Sequence, residues 1–157
     1  MTERINKFVE QFCTRISLDE SLIVEREKRI FLLNEALKEI VQKDFFYAGV
    51  HLGKIKDESF LPSFDLLSMI AETKANKIVV DEKSEWLFIC GRDLFKRGIV
   101  KIVGSRREGD YTLILNKHSE CIGFGRIIHG MAYKSGGVVV KNMFDLGDFL
   151  RRERSEF

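Results

Sequence analysis

The sequence predicts an α+β fold: a mixed α/β N-terminal domain with an antiparallel sheet over residues 1–84, then a β pseudobarrel with short helices over residues 85–157. Three observations carry this expectation. In the first half, apolar residues recur at three- and four-residue spacing in some segments and gather in short β-prone runs in others. After Trp86, strand-like runs follow one another at short intervals, divided by Gly-containing turns. Between the two patterns lies the charged stretch Asp81-Glu82-Lys83-Ser84-Glu85, a natural boundary.

The elements follow in order. Ile5, Phe8, Val9, Phe12, Cys13 and Ile16 keep helical spacing, with Thr2 placed to cap the start. Two β-prone runs between Leu22 and Leu33, separated by charged residues, predict a hairpin. Asn34 caps a helix to about Gln42 that buries Ala36, Leu37, Ile40 and Val41. Phe45 to Ile55 reads as one strand interrupted by Gly49 and Gly53. Pro62 and Ser63 punctuate the chain before a helix over Phe64–Thr73, and Ile78–Val80 forms the last strand of the first domain.

In the second domain, strands are predicted at Trp86–Cys90, Ile99–Val103, Tyr111–Leu115, Cys121–Ile128 and Val138–Lys141. A short helix over Arg92–Arg97 stops at Gly98, and another over Leu146–Glu153 closes the chain. No long internal repeat or low-complexity tract is present.

Composition narrows the function classes. Hydrophobic residues make up 45% of the 157 residues and charged residues 32%, a globular balance. No run approaches the ~20 apolar residues that cross a bilayer, and the N-terminus lacks a signal-peptide core, so no membrane partner is expected and a cytoplasmic location is. Cys13, Cys90 and Cys121 are odd in number and set among apolar neighbours, which predicts buried reduced thiols. Residues 1–84 hold 13 Lys or Arg against 15 Asp or Glu, whereas residues 85–157 hold 13 against 9. The basic excess in the second half suits a polyanionic partner. Few amide residues beside abundant charge lean toward a heat-adapted source.

Chemistry-bearing patterns are scarce. Gly123-Phe124-Gly125 invites comparison with a dinucleotide fingerprint, but Ile128 stands at the third glycine position and no β-α-β unit follows. No phosphate-loop order occurs. His51, His118 and His129 are isolated from one another and from cysteine at ligand spacing, so neither a metal nor any other cofactor is expected. No nucleophile elbow or paired-carboxylate pattern selects a catalytic residue, and no small-molecule substrate is implied.

The segment Trp86-Leu-Phe-Ile-Cys-Gly-Arg-Asp-Leu-Phe-Lys-Arg-Gly-Ile99, followed by Gly109-Asp110-Tyr111 and Ile122-Gly-Phe-Gly125, resembles the PUA module of RNA-modifying and ribosome-assembly proteins. Tyr47-Ala-Gly-Val-His-Leu-Gly-Lys-Ile55 and Asp145-Leu-Gly-Asp-Phe-Leu-Arg151 are similar to the Nip-seven family of ribosome-biogenesis factors, in which a small α/β domain precedes the PUA module. That resemblance implies a non-enzymatic role in ribosomal RNA maturation and large-subunit biogenesis. It also implies binding to uridine-rich RNA in ribosomal RNA or a pre-ribosomal particle, with assembly or RNA-processing proteins such as exosome components as partners and a nucleolar location in a eukaryote. The rival readings are a targeting subunit or small enzyme of RNA modification, and a protein-interaction scaffold that uses the same basic face.

The resemblance associates RNA contact with basic residues of the closing helix, which here are Arg151, Arg152 and Arg154. Cations at a helix C-terminus also complement the helix dipole, which is their structural reading. Arg92, Lys96 and Arg97 on the short helix, with Arg126 and Lys134, are second-tier candidates for phosphate contact. Phe88, Phe95, Tyr111 and Phe124 fit core positions, leaving Tyr133 and Phe144 as stacking candidates.

Overall fold

The computed structural model describes residues 1–41, 44–130 and 137–154. The first part is α1 (Thr2–Glu10), the hairpin β1 (Ile23–Arg26) and β2 (Arg29–Leu32), α2 (Glu35–Ile40), the hairpin β3 (Val50–Lys56) and β4 (Ser59–Pro62), and α3 (Phe64–Ala71). Its four strands form an antiparallel sheet in the order β1-β2-β3-β4. The second part is β5 (Lys77–Val80), α4 (Glu82–Ile89), β6 (Leu94–Phe95), β7 (Ile99–Val103), β8 (Tyr111–Leu115), β9 (Cys121–Ile127), β10 (Val138–Asp145) and α5 (Leu146–Arg154). Its strands form a curled half-barrel in the order β6-β10-β9-β8-β5-β7, in which β5 and β8 are parallel and the other neighbours antiparallel.

Several elements follow directly from their residues. The Asn34 side chain accepts from Leu37 N–H at 2.8 Å to start α2, and the Ser63 hydroxyl accepts from Leu66 N–H at 3.1 Å to start α3. The expected hairpin at Leu22–Leu33 is present, as are the strands near 99–103, 111–115 and 121–127 and the closing helix.

Other expectations are corrected. Trp86–Cys90 lies in helix α4 and its C-cap, not in a strand. Asp81 accepts from Ser84 N–H at 2.7 Å, and Glu82 and Glu85 favour the helix N-terminus, so cap and dipole prevail over the β-prone aromatic run. Arg92–Arg97 is no helix: Leu94 and Phe95 pair with β10, and only Lys96–Gly98 forms a 3-10 turn, because Leu94 enters the half-barrel core. Thr2 does not cap α1 but is its first residue, and Met1 precedes it as N-cap without a side-chain bond. In α2 only Leu37 and the adjoining Val41 pack inward; Ala36 and Ile40 face solvent. The strand read from Phe45 starts at Val50, after an irregular aromatic segment. β4 went unpredicted because its turn, Asp57-Glu58, lacks the Gly or Asn that marks such hairpins.

Ile78–Val80, read as the last strand of the first domain, lies instead inside the second sheet between β7 and β8. The expected division after residue 84 falls within α4.

One core joins the two sheets. Ile5 and Val9 of α1, Phe12 just beyond it, and Leu66, Leu67 and Ile70 of α3 pack on Ile30 and Leu52 on one side, and on Leu113, Phe124 and Phe144 on the other. Phe8 and Phe12 meet Phe124 edge to face, and Phe64 stacks on Phe144 at 5.5 Å between centroids. A second cluster fills the half-barrel around Phe88, Ile114 and Val140, on the opposite face of β8 from Leu113.

Buried Asn76 is the polar joint of this assembly. Its N–H donates to the Phe12 carbonyl at 2.9 Å, and its carbonyl accepts from Leu113 N–H at 2.9 Å. Its side-chain amide donates to the Tyr111 carbonyl at 3.1 Å, while Oδ1 accepts from Ser105 N–H at 2.9 Å.

Of the three cysteines, Cys121 is half-buried, whereas Cys13, just past α1 with φ 57°, and Cys90, the C-cap of α4, are exposed, contrary to the expected burial of all three. Burial pushes the Cys121 thiol up to about 12.

Two outcomes follow from these placements. Asn76→Ala, which leaves the Tyr111 carbonyl and Ser105 N–H without their side-chain partner, lowers the unfolding free energy by about 2–4 kcal/mol, measured by urea denaturation. A disulfide thiol reagent at pH 8 titrates Cys13 and Cys90 in the native protein and reaches Cys121 only on unfolding, because that thiol has little thiolate to offer.

Candidate nucleic-acid interface

The register of the second sheet gathers cations on its outward face. Arg126 on β9 stands opposite Lys141 on β10, while the next pair, Ile127 and Val140, points into the core. Arg126 and Lys141 are both exposed and make no ion pair among the described residues. On the far side of β10, Phe95 of β6 pairs with Val138, and the Arg97 guanidinium lies 5.5 Å from the Phe95 ring centre. Leu94 points inward, so its neighbour Phe95 must point out, and the ring is 39% exposed.

Asn142 fixes the loop that carries Arg92. Its side-chain amide donates to the carbonyls of Phe88 at 2.9 Å and Arg92 at 3.3 Å, and its N–H donates to the Asp93 carboxylate at 2.8 Å. Lys96, half-buried, holds the start of the 3-10 turn through its N–H to the Gly137 carbonyl at 3.3 Å. Arg92, Arg97, Arg126 and Lys141 thus stand on or beside three adjacent strands, with an aromatic ring among them.

The closing helix lies elsewhere. The Asp145 carboxylate accepts from Asp148 N–H at 2.8 Å to start α5, and Gly147 passes so close to the Ile89 carbonyl that a Cβ there would meet it at 2.2 Å. From that anchor α5 runs toward the first sheet, where Glu153 reaches Lys54 of β3 at 3.6 Å. Arg152 Nε lies 2.8 Å from the Asp148 carboxylate, and Arg151 also approaches it, at 4.0 Å. Arg154 is exposed. β10 has eight residues, and at about 3.3 Å each its ends stand roughly 23 Å apart, with Phe95 at one end and α5 at the other.

The sequence-based candidates therefore fall into two groups. Arg92, Lys96, Arg97 and Arg126 lie on or beside β6 and β9; Arg151, Arg152 and Arg154 lie on α5, whose Glu153 meets Lys54 of the first sheet. Lys134 and Tyr133 lie outside the described residues. Phe144 is no stacking platform, since it is buried between Phe64 and Phe124. Phe95, read as core, is the exposed ring, because a two-residue strand can bury only one of its side chains. Lys141 was missed: nothing in Val-Val-Val-Lys-Asn marks it until pairing sets it opposite Arg126.

The glycines once compared with a dinucleotide fingerprint have a packing role. A Cβ on Gly123 (φ 148°) would lie 2.0 Å from the Phe144 carbonyl, and one on Gly125 would lie 2.5 Å from Val140. They let β9 press against β10.

His51 of β3 packs against Phe31 and Tyr47, and burial lowers its pKa against the opposing pull of Glu153. Among the described residues, no three His, Cys, Asp or Glu side chains are grouped to hold a metal ion, and no helix is long and apolar enough to cross a membrane.

Comparison with known proteins agrees with this architecture. A UPF0113 protein of Archaeoglobus fulgidus is 29% identical over 113 residues, covering 69% of this chain and 64% of the relative, so the chain spans less than two thirds of that relative's length. A conserved PUA domain protein from Thermoplasma acidophilum has a similar structure, with a TM-score of 0.61, 20% identity, and coverage of 97% of this chain and 93% of that one. A PUA domain protein of Aeropyrum pernix gives a TM-score of 0.57 at 18% identity, covering 92% of this chain and 82% of that one. These two likenesses establish the fold. Residues 76–154, just over half of the chain and starting at Asn76, match the UPF0113 PUA domain, and the chain belongs to that family.

Proposed function

We propose that this protein is an RNA-binding assembly factor of the Nip-seven type, acting in ribosomal RNA maturation and large-subunit biogenesis. The observation that carries the reading is the cross-strand pair Arg126 and Lys141, flanked on β6 by Arg97 over exposed Phe95. Cations without a carboxylate partner meet phosphates and set position, while an aromatic face accepts an unstacked base whatever its identity. Single-stranded RNA offers both groups, which suits a surface with few base-edge readers. In this reading the segment from residue 85 onward supplies the RNA-contacting face, and residues 1–84 brace α5 through Lys54 and Glu153.

Arg151 and Arg152 take a lesser part. Asp148 lies against both, so phosphate must displace a carboxylate before it gains their charge. Arg154 is the freer of the α5 candidates.

Assembly factors also meet proteins, and exposed Trp86 on α4 favours such a contact. A large aromatic 68% open to solvent is the kind of anchor that protein interfaces bury. Partners of the exosome or pre-ribosomal class fit that part of the proposal.

The test is fluorescence anisotropy with a uridine-rich single strand across a salt series. Arg126→Ala with Lys141→Ala weakens binding and reduces the log-log salt slope by about 1.4, the value for two phosphate contacts. Arg151→Ala with Arg152→Ala changes the slope by less than half that amount, because Asp148 already screens both arginines. Equal or reversed effects would move the site to α5, and turnover of the RNA would make the protein an enzyme.

A further inference from the structure

The first sheet carries a second basic concavity. Arg29 on β2 stands directly opposite Lys54 on β3, so both side chains rise from the same face, and Lys56 follows two residues later on that face. Lys28, in the β1–β2 turn, completes the group around an open depression of about 470 Å³. Phe46 walls it, its ring 66% exposed and 5.6 Å from the Arg29 guanidinium. Among the described lining residues Glu27 and Asp57 are the carboxylates, set against Lys28, Arg29, Lys54 and Lys56, and Glu153 of α5 lies against Lys54.

An independent feature marks the same place. Among the described residues, six non-glycine positions have positive φ, and four of them are the two turns that rim the depression: Glu27 at 50°, Lys28 at 65°, Asp57 at 46° and Glu58 at 64°. Left-handed backbone disfavours residues with a Cβ, and glycine or asparagine would relieve it. Each pair is the centre of a two-residue hairpin turn, which requires positive φ at both positions, and charged residues fill all four. The rim is also tied down. The Ile55 N–H donates to the Lys28 carbonyl at 2.7 Å, and Arg4 donates to the Glu58 carbonyl at 2.7 Å, holding one turn to β3 and the other to α1.

We infer that this concavity binds one nucleotide unit of single-stranded RNA, its phosphate between Lys28 and Lys56 and its base against Phe46. The inference rests on the RNA-binding reading above and extends it: the strand held on the barrel face would have a second foothold on the N-terminal sheet. A ring walling a cluster of ammonium groups suits a phosphate with a planar base attached, whereas inorganic phosphate would leave Phe46 idle.

The test uses the full chain and three variants: Lys28→Ala with Lys56→Ala, Phe46→Leu, and Arg126→Ala with Lys141→Ala, each checked for native circular dichroism. Anisotropy with a 20-nucleotide uridine-rich strand is measured over a salt series, and uridine monophosphate is titrated by NMR. The lysine pair is expected to reduce the salt slope by about 1.4. Phe46→Leu is expected to weaken binding about tenfold with the slope unchanged, as loss of stacking requires. If the wild type binds RNA and neither variant at this site alters affinity or slope, the inference is overturned while the barrel-face reading stands. If the wild type binds no RNA, that reading fails by itself. Chemical-shift changes at Lys28 and Phe46 with uridine monophosphate would then assign the site to a free nucleotide, and their absence would overturn it.

Discussion

Asn76 stands where three segments distant in sequence must meet: the end of α1, the start of β8, and the loop that follows β7. Each has a backbone group aimed at this residue, and its two amide functions and two main-chain groups answer all of them. No apolar side chain could do so, because buried carbonyl and N–H groups left unanswered cost more than packing there returns. From this joint β5 departs between β7 and β8, α1 is set against Phe124, and the shared aromatic core closes around it. The site depends on the same constraint at one remove, since the position of β8 fixes β9, and β9 presents Arg126.

Local chemistry was legible in the sequence wherever it decided local structure. Asn34 and Ser63 announced their helices, and the charged turn between two β-prone runs announced the first hairpin. Where tertiary pairing decides, it was not. Leu94 and Phe95 look helical beside Lys96 and Arg97, and only the demand of the barrel interior for Leu94 draws them into a strand. The opposite failure occurred at Trp86–Cys90, where β-prone composition concealed a helix set by a cap upstream. The destination of Ile78–Val80 could not be read at all, because nothing in three aliphatic residues states which sheet will take them.

The candidate site shows the same division. Arg126 was visible as a cation in a strand, but its partnership with Lys141 is a fact of register, and register lies between strands. Arg151 and Arg152 were visible for their clustering. Asp148, one turn earlier, was equally visible, yet its claim on both guanidinium groups emerges only with helical geometry. Charge in a sequence is a sum, whereas charge available to a ligand is what remains after neighbours have been met.

The place of β5 has a practical consequence for dividing the molecule. Among the described residues β7 pairs with no strand but β5, and β5 runs beside β8 from Leu113 to Leu115. A fragment starting at residue 85 would discard Asn76 and β5 together, leaving β7 adrift and a row of unpaired N–H and C=O groups along β8. Such an open edge invites other chains to pair with it, and the product would be sticky rather than merely weak. An expression boundary placed ahead of Asn76, just after α3, keeps that edge closed.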